Sequence, residues 1–175
     1  MIQVHDTAFT EAKIFVPDVF YDARGFFKET YSQNKYAVVG LNDAWVQDSV
    51  SRSSKNVVRG LHYDMRMAKL VQALHGEIYD VIVDVRPHSP TYRRWQGFTL
   101  SADNHWQLYV PKGFAHGFLA LSDEAVVHYK MSAHFDPARE GVISWKAPSL
   151  AIEWPLQGEV LLSPKDAAAP MEMRP

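Results

Sequence analysis

The chain of 175 residues contains no cysteine, which excludes disulfide bonds, thiolate metal sites and a cysteine nucleophile. It also lacks any run close to the ~18 consecutive apolar residues of a membrane helix, and its N-terminus has no basic segment followed by an apolar one. The formal net charge is only −2, so no global positive field is available to hold nucleic acid. We therefore expect a cytoplasmic protein that binds neither nucleic acid nor membrane.

Apolar and aromatic residues, at 47% and 13%, are sufficient for a buried core, and the length suits a single domain over 1–175. Short apolar segments are separated at regular spacing by Gly, Pro, Asp and Asn, which predicts an all-β sandwich or barrel with one or two short helices. We expect a core over about 10–166, one helix over 33–39, and a loose tail after Lys165 that includes 167–175. The predicted strands are 13–17, 25–31, 44–50, 56–63, 69–75, 77–86, 95–100, 106–111, 116–121 and 125–132.

The segment 77–86, "EIYDVIVDVR", places two carboxylates in a hydrophobic strand. Because side chains alternate between the faces of a strand, Asp80 and Asp84 share one face with isoleucines, and the other face carries Tyr79 and three valines. Buried carboxylates are unfavourable without polar partners. The pattern fits either an ordinary half-exposed face or a barrel with a wet, polar interior.

Four basic or potentially basic side chains cluster around two neighbouring predicted strands and one later segment. Arg59, His62 and Lys69 lie within "VVRGLHYDMRMAKLV", and His116 lies in "PKGFAHGF". Cations are rarely gathered without an anion to bind, so this set indicates an anionic ligand.

His62 is a candidate general base, because a neutral imidazole can accept a proton near neutral pH when a carboxylate orients its ring. Asp80, Asp84 and Asp166 are the candidates for that carboxylate. Tyr129, in "AVVHYKM", is either a core tyrosine or a phenol that faces a cavity, where it could act as a general acid.

A metal site is the competing interpretation. "PKGFAHGF" matches the Pro-x-Gly-x-x-His half of a metal-binding pattern found in cupin barrels, but the other half offers only His62 and Asp64. Lys69 would also repel a cation. Since zinc or iron needs at least three well-placed ligands, we predict no metal.

Seven motifs occur in the order found in dTDP-4-dehydrorhamnose 3,5-epimerases, and the chain resembles that family from about 22 to 166. They are "DARGFFKE", "VVRGLHY", "KLVQALHGEIYDVIVDVR", "SPTYRRW", "QLYVPKGFAHGFLAL", "HYK" and "LSPKD". The resemblance implies a cupin-type jelly-roll barrel, a homodimer, and catalysis without metal or cofactor.

The resemblance also implies a substrate, a nucleotide-linked 4-keto-6-deoxy sugar with dTDP as the expected carrier, whose ketone acidifies the C–H bonds at C3 and C5. A base removes one proton, an enolate forms, and a proton returns from the opposite face. By this resemblance His62 is the base, Asp166 orients it, Tyr129 is the acid, and Lys69 stabilises the enolate oxygen.

Other positions carry over as ligand contacts. Asp80 and His116 resemble a second pair that lines the sugar pocket. Arg59 and Lys165 resemble diphosphate ligands, with Arg24 supplied by the partner subunit. The remaining implied ligand contacts are Glu29, Gln47, Ser49, Phe135 and Glu140.

Three features depart from the family pattern. The connection from His62 to Lys69 is short and carries Asp64 in place of a glutamine, Ser49 replaces an asparagine, and Phe135 replaces a tyrosine. These departures leave open a single inversion at C3 or C5 and another nucleotide, as in a GDP-sugar epimerase. From other classes, a metal-dependent cupin enzyme and a non-catalytic sugar-nucleotide binder are the alternatives.

Overall fold

The computed structural model describes residues 1–172. No helix in this part of the chain is long and apolar enough to cross a bilayer. The helices are α1 (Gln33–Val38) and α2 (Pro164–Ala167). The strands are β1 (Gln3–Asp6), β2 (Lys13–Val16), β3 (Val19–Asp22), β4 (Gly25–Lys28), β5 (Gln47–Ser54), β6 (Val58–Tyr63), β7 (Lys69–His75), β8 (Glu77–Asp84), β9 (Trp95–Ser101), β10 (Gln107–Val110), β11 (Phe114–Ala120), β12 (Glu124–Met131) and β13 (Gly141–Val142).

Two antiparallel sheets form the body of the protein. One has six strands in the order β1-β2-β10-β7-β12-β5, and the other has five in the order β13-β6-β11-β8-β9. One buried cluster takes side chains from both sheets, so the sheets pack face to face. Strands β3 and β4 form a separate hairpin that pairs with neither sheet. The prediction of an all-β fold with one or two short helices is confirmed.

Strand β8 has no exposed face. Ile78 and Ile82 point into the cluster between the sheets, whereas Val81 and Val83 pack against a second cluster that includes Ile143 from the later loops. Asp80 and Asp84 are both completely buried, so the half-exposed interpretation of this strand is wrong.

The sequence pattern missed β1, β3, β13 and α2, and it ended the fifth strand too early. Strand β5 runs to Ser54, and along it the partly or fully buried positions are Gln47, Ser49, Ser51 and Ser53, while Val50 is exposed. Its inward-facing residues are polar. The strand therefore lacks the alternation of inward apolar and outward polar residues by which a strand is predicted from sequence.

Part of the predicted loose tail is held against the barrel, through Asp166 and Pro170, whereas 173–175 lie outside the described residues. Asp166 is buried within α2, and the Ser163 hydroxyl caps this helix by accepting the Asp166 N–H at 3.1 Å. Further on, the Pro170 carbonyl accepts the Ser144 N–H at 2.9 Å.

Candidate active site

A cavity of about 680 Å³ opens between the two sheets. Strands β5, β7 and β12 supply one wall, β6 and β11 supply the other, and residues 161–166 close one side. Nine of the predicted site residues line it: Gln47, Ser49, Arg59, His62, Lys69, His116, Tyr129, Phe135 and Asp166.

His62 lies on β6 with Nε2 2.6 Å from Oδ1 of Asp166, so Asp166 is its partner among the three candidate carboxylates. Burial would raise the pKa of Asp166, but hydrogen bonds from His62, Ser163 and the Gly60 backbone lower it below its ordinary value. Because Asp166 is an anion, Nε2 carries the hydrogen and donates it. Nδ1 is then the nitrogen that can accept a proton, and it lies 3.8 Å from Oε1 of Glu140.

Two glycines bring β6 and β11 unusually close together. A Cβ built on Gly60, whose φ is +126°, would lie 2.6 Å from the Gly117 Cα, and one on Gly117 would lie 2.7 Å from the Arg59 carbonyl. A larger side chain at either position would push the strands apart. The close approach places His62 directly opposite His116 in the strand register.

His116 and Asp80 form the predicted second pair, with His116 Nε2 2.9 Å from Asp80 Oδ2. Both are buried, which lowers the pKa of His116 and raises that of Asp80. Asp80 Oδ1 is buried and has no hydrogen-bond partner among residues 1–172, so this carboxyl group retains acceptor capacity behind His116.

Lys69 is the first residue of β7, and its partly buried side chain reaches the cavity. Burial lowers the pKa of Lys69 to about 8, and the negative charges of Asp80 and Asp64 limit the fall.

The short connection between His62 and Lys69 is a turn that Asp64 stabilises. The Asp64 carbonyl accepts the Met67 N–H at 3.0 Å, and the Asp64 carboxylate is paired with Arg66 at 2.6 Å. The Asp64 carboxylate therefore already has a charged partner within its own turn. No three His, Asp or Glu side chains in the described part of the chain are arranged to hold a metal ion.

Tyr129 lies on β12, in the sheet opposite His62. Its hydroxyl is 2.8 Å from Ser51 Oγ, and its ring meets the His116 ring edge-on with centroids 6.2 Å apart. Burial raises the pKa of Tyr129 well above its ordinary value, so the phenol keeps its proton. An imidazole that can accept a proton and a phenol that can donate one thus line the same cavity from opposite sheets.

Cationic groups lie at the mouth of the cavity. The Arg59 guanidinium donates to Ser53 Oγ at 2.9 Å and to the Arg52 carbonyl at 3.0 Å, and no acidic side chain pairs with it among residues 1–172. Lys165 forms an ion pair with Glu140 beside His62.

The predicted Gln47 and Phe135 meet at the rim. Gln47 Oε1 accepts the Phe135 N–H at 2.9 Å, and Gln47 Nε2 donates to Ser49 Oγ at 3.2 Å. The Phe135 ring is half-exposed, so it can contact a ligand at the cavity entrance.

Five predicted residues do not line this cavity within one chain. Asp80 lies against His116, and Glu140 and Lys165 pair beside His62. The other two are Arg24 and Glu29. Arg24 lies at the tip of the β3–β4 hairpin, where it pairs with Asp22, and Glu29 pairs with Lys35 at 3.0 Å beside a separate cavity of about 400 Å³. Arg24 belongs to the hairpin, which pairs with neither large sheet, and Glu29 directly follows it; neither side chain lines the cavity of its own chain.

Sequence reasoning missed Ser51 and Ser163. Ser51 follows Ser49 by two residues on one strand and therefore shares its face, a signal that was available. Ser163 precedes a proline at the first helical position, which is a recognisable helix start.

Comparisons with known proteins point to the same family that the sequence motifs resemble. The family model for dTDP-4-dehydrorhamnose 3,5-epimerase matches residues 6–172. The chain is 45% identical to the enzyme of that name from Salmonella typhimurium over 98% of this chain and 96% of that protein. It is 46% identical to one from Neisseria gonorrhoeae over 95% of this chain, but it spans only 52% of that longer protein.

A solved structure is similar to this chain in both fold and sequence. The crystal structure of dTDP-6-deoxy-D-glucose-3,5-epimerase from Legionella pneumophila in complex with dTDP-4-keto-L-rhamnose superposes with a TM-score of 0.94 and 46% identity, covering 97% of this chain and 92% of that chain. The match confirms the cupin-type barrel that the motifs predicted. The chain belongs to the dTDP-4-dehydrorhamnose 3,5-epimerase family.

Proposed function

We propose that this protein is an isomerase that inverts C3 and C5 of a dTDP-linked 4-keto-6-deoxy sugar in deoxysugar biosynthesis. The observation that carries the proposal is the placement of His62 and Tyr129 on opposite walls of one cavity. Inversion needs a base on one face of the sugar and an acid on the other. The names of the family members support the same reaction.

His62 Nδ1 removes the proton next to the ketone, and the anionic Asp166 stabilises the imidazolium that forms. Lys69 places its positive charge at the ketone oxygen, where the enolate charge develops. Tyr129 returns a proton from the other face. Since the ketone already acidifies both carbons, the reaction proceeds without a cofactor.

The diphosphate binds Arg59 and Lys165 at the mouth. On binding, Lys165 exchanges its ion pair with Glu140 for the phosphate oxygens, which also accept charge-assisted hydrogen bonds from a cation. Gln47, Ser49 and Phe135 contact the ligand at the rim of the cavity. His116, paired with Asp80, contacts the sugar.

The active unit is a homodimer in which the β3–β4 hairpin reaches the site of its partner. Phe20 and Phe27 on this hairpin are 63% and 70% exposed, an apolar surface typical of an interface. The Tyr21 hydroxyl bonds His105 Nε2 at 2.8 Å, which holds the hairpin to its own chain while its tip projects. Arg24 and Glu29 then meet the nucleotide across the interface. We further propose that the dimer is cytoplasmic.

The test is incubation with dTDP-4-keto-6-deoxyglucose in deuterated water, with NMR detection of deuterium at C3 and C5. The proposal predicts label and inversion at both carbons. Label and inversion at one carbon alone would establish a single inversion, and label at neither would refute the proposed reaction. Metal analysis of the same preparation addresses the metal-dependent alternative, which a stoichiometric ion would favour.

A further inference from the structure

The Tyr129 hydroxyl has one hydrogen-bond partner among residues 1–172, and that partner is a side chain with no role in the reaction described above. Ser51 Oγ lies 2.8 Å from it. Tyr129 is opposite Ser49 in the β5–β12 register, so Ser51 is two residues further along the same face of β5. Both side chains line the cavity.

The direction of this hydrogen bond decides what Tyr129 can do. A phenol has a single O–H, and if it donates that hydrogen to Ser51 it has none to offer a substrate. Ser51 has its own hydroxyl hydrogen, and its Oγ makes no other hydrogen bond within the described residues. Ser51 can therefore be the donor, which turns the phenol hydrogen toward the cavity.

The same bond acts after the proton has been transferred. When the O–H bond of Tyr129 breaks and its proton forms the new C–H bond, the electron pair stays on the phenolate oxygen. Burial raises the pKa of Tyr129, whereas the Ser51 hydrogen bond and the positive charge of Arg59 counteract that rise. A hydrogen bond to a charged oxygen is also stronger than one to a neutral oxygen.

We propose that Ser51 is a positioning residue for the acid: it donates its hydroxyl hydrogen to the Tyr129 oxygen, aims the phenol proton at the substrate and stabilises the phenolate. Ser51 keeps its own proton throughout and does not touch the reacting carbon. The inference rests on the proposed epimerisation and adds to it the residue that controls the return of the proton.

The experiment compares two rates in deuterated water: deuterium uptake into substrate of unchanged configuration, and formation of inverted product. In Ser51→Ala, His62 still removes the proton, so uptake persists, but we expect inversion to fall about tenfold. The ratio of uptake to inversion should rise accordingly. Ser51→Thr, which restores a hydroxyl at this position, should return the ratio to near the wild-type value.

Two controls separate this role from a structural one. Ser49→Ala changes a neighbouring hydroxyl on the same face that bonds Gln47 rather than Tyr129, so it should raise KM without changing the ratio. Wild-type protein in the same series shows whether epimerisation itself occurs. If Ser51→Ala lowers uptake and inversion by the same factor, or if a folded Ser51→Thr fails to restore the ratio, the inference is wrong even when the wild-type protein epimerises normally.

Discussion

Lys69 is useful to the proposed reaction only while it is charged. A neutral amine would leave the enolate oxygen without its counter-charge, and burial has brought the pKa of Lys69 to about 8. The charged form predominates below that pH and is lost as the pH rises through it.

We expect kcat/KM to fall as the pH rises above about 8, because the free enzyme then loses the Lys69 charge. Lys69→Arg keeps a positive charge throughout this range, so its profile should lose the alkaline decline, at a lower absolute rate because the guanidinium has a different shape. Tyr129 does not account for this decline, since burial raises its pKa far above this range. An unchanged decline in Lys69→Arg would show that another group titrates.

The sequence alone predicts some of the candidate site residues and their partners better than others. The pairing of His62 with Asp166 joins positions 104 residues apart, so local patterns offered three carboxylates and only the family motifs selected one. Ser51 was detectable from the strand period beside Ser49, but a lone serine carries no chemical signature. Arg24 and Glu29 matched family positions, yet no sequence pattern states which subunit's cavity they enter.

At the level of elements, the end of β8 depends on one carboxylate. Asp84 is completely buried, and Arg86, Ser89 and Thr91 from the following loop donate to it at 2.5–3.0 Å. Burial would raise the pKa of Asp84, but these hydrogen bonds hold it well below its ordinary value. The loop from β8 to β9 is thus organised around a buried anion.

Asp84→Asn should lower the free energy of unfolding by about 2–4 kcal/mol at pH 7, because it leaves buried donors without their charged acceptor. Since the folded-state pKa is depressed, this contribution is complete above the unfolded-state pKa of about 3.9 and is lost as the pH falls toward the folded-state value. Urea unfolding at pH 7 and pH 3 measures it, and the difference from wild type should shrink at pH 3.

Asp123→Asn is the matched control, because Asp123 is exposed and its carboxylate makes no hydrogen bond within the described chain. Its unfolding midpoint should stay close to that of the wild type at both values of pH. Equal effects of the two substitutions would contradict a special role for Asp84.

The elements that the sequence predicted well are those with apolar side chains on an inward face, such as β7, whose predicted and observed bounds coincide. Strand β5 was misjudged because its inward face lines a polar cavity. The β3–β4 hairpin was half missed because its aromatic residues are exposed in the single chain and show no inward face.

At the scale of the whole molecule, the proposed homodimer accounts for the exposed hairpin and for the position of Arg24 outside the cavity of its own chain. A second copy of the chain would cover Phe20 and Phe27 and would bring Arg24 to the diphosphate end of the site. Arg24→Ala and His62→Ala should each abolish most of the activity of the protein when made alone.

Mixing these two inactive variants tests the arrangement. If Arg24 serves the partner, a mixed dimer contains one complete site, and random reassociation of equal amounts should restore roughly a quarter of the wild-type activity. Refolding the variants together and assaying the mixture measures this. If Arg24 instead serves its own chain, the mixture will remain inactive. Light scattering on the same samples reports whether the dimer forms.

The central claim is that His62 and Tyr129 act on opposite faces of one sugar, and one comparison in deuterated water tests it. His62→Ala should bind the substrate nearly as tightly as wild type and exchange no C–H proton at C3 or C5. Tyr129→Phe should still exchange protons but form little inverted product. Normal exchange in His62→Ala, or full inversion by Tyr129→Phe, would contradict the account.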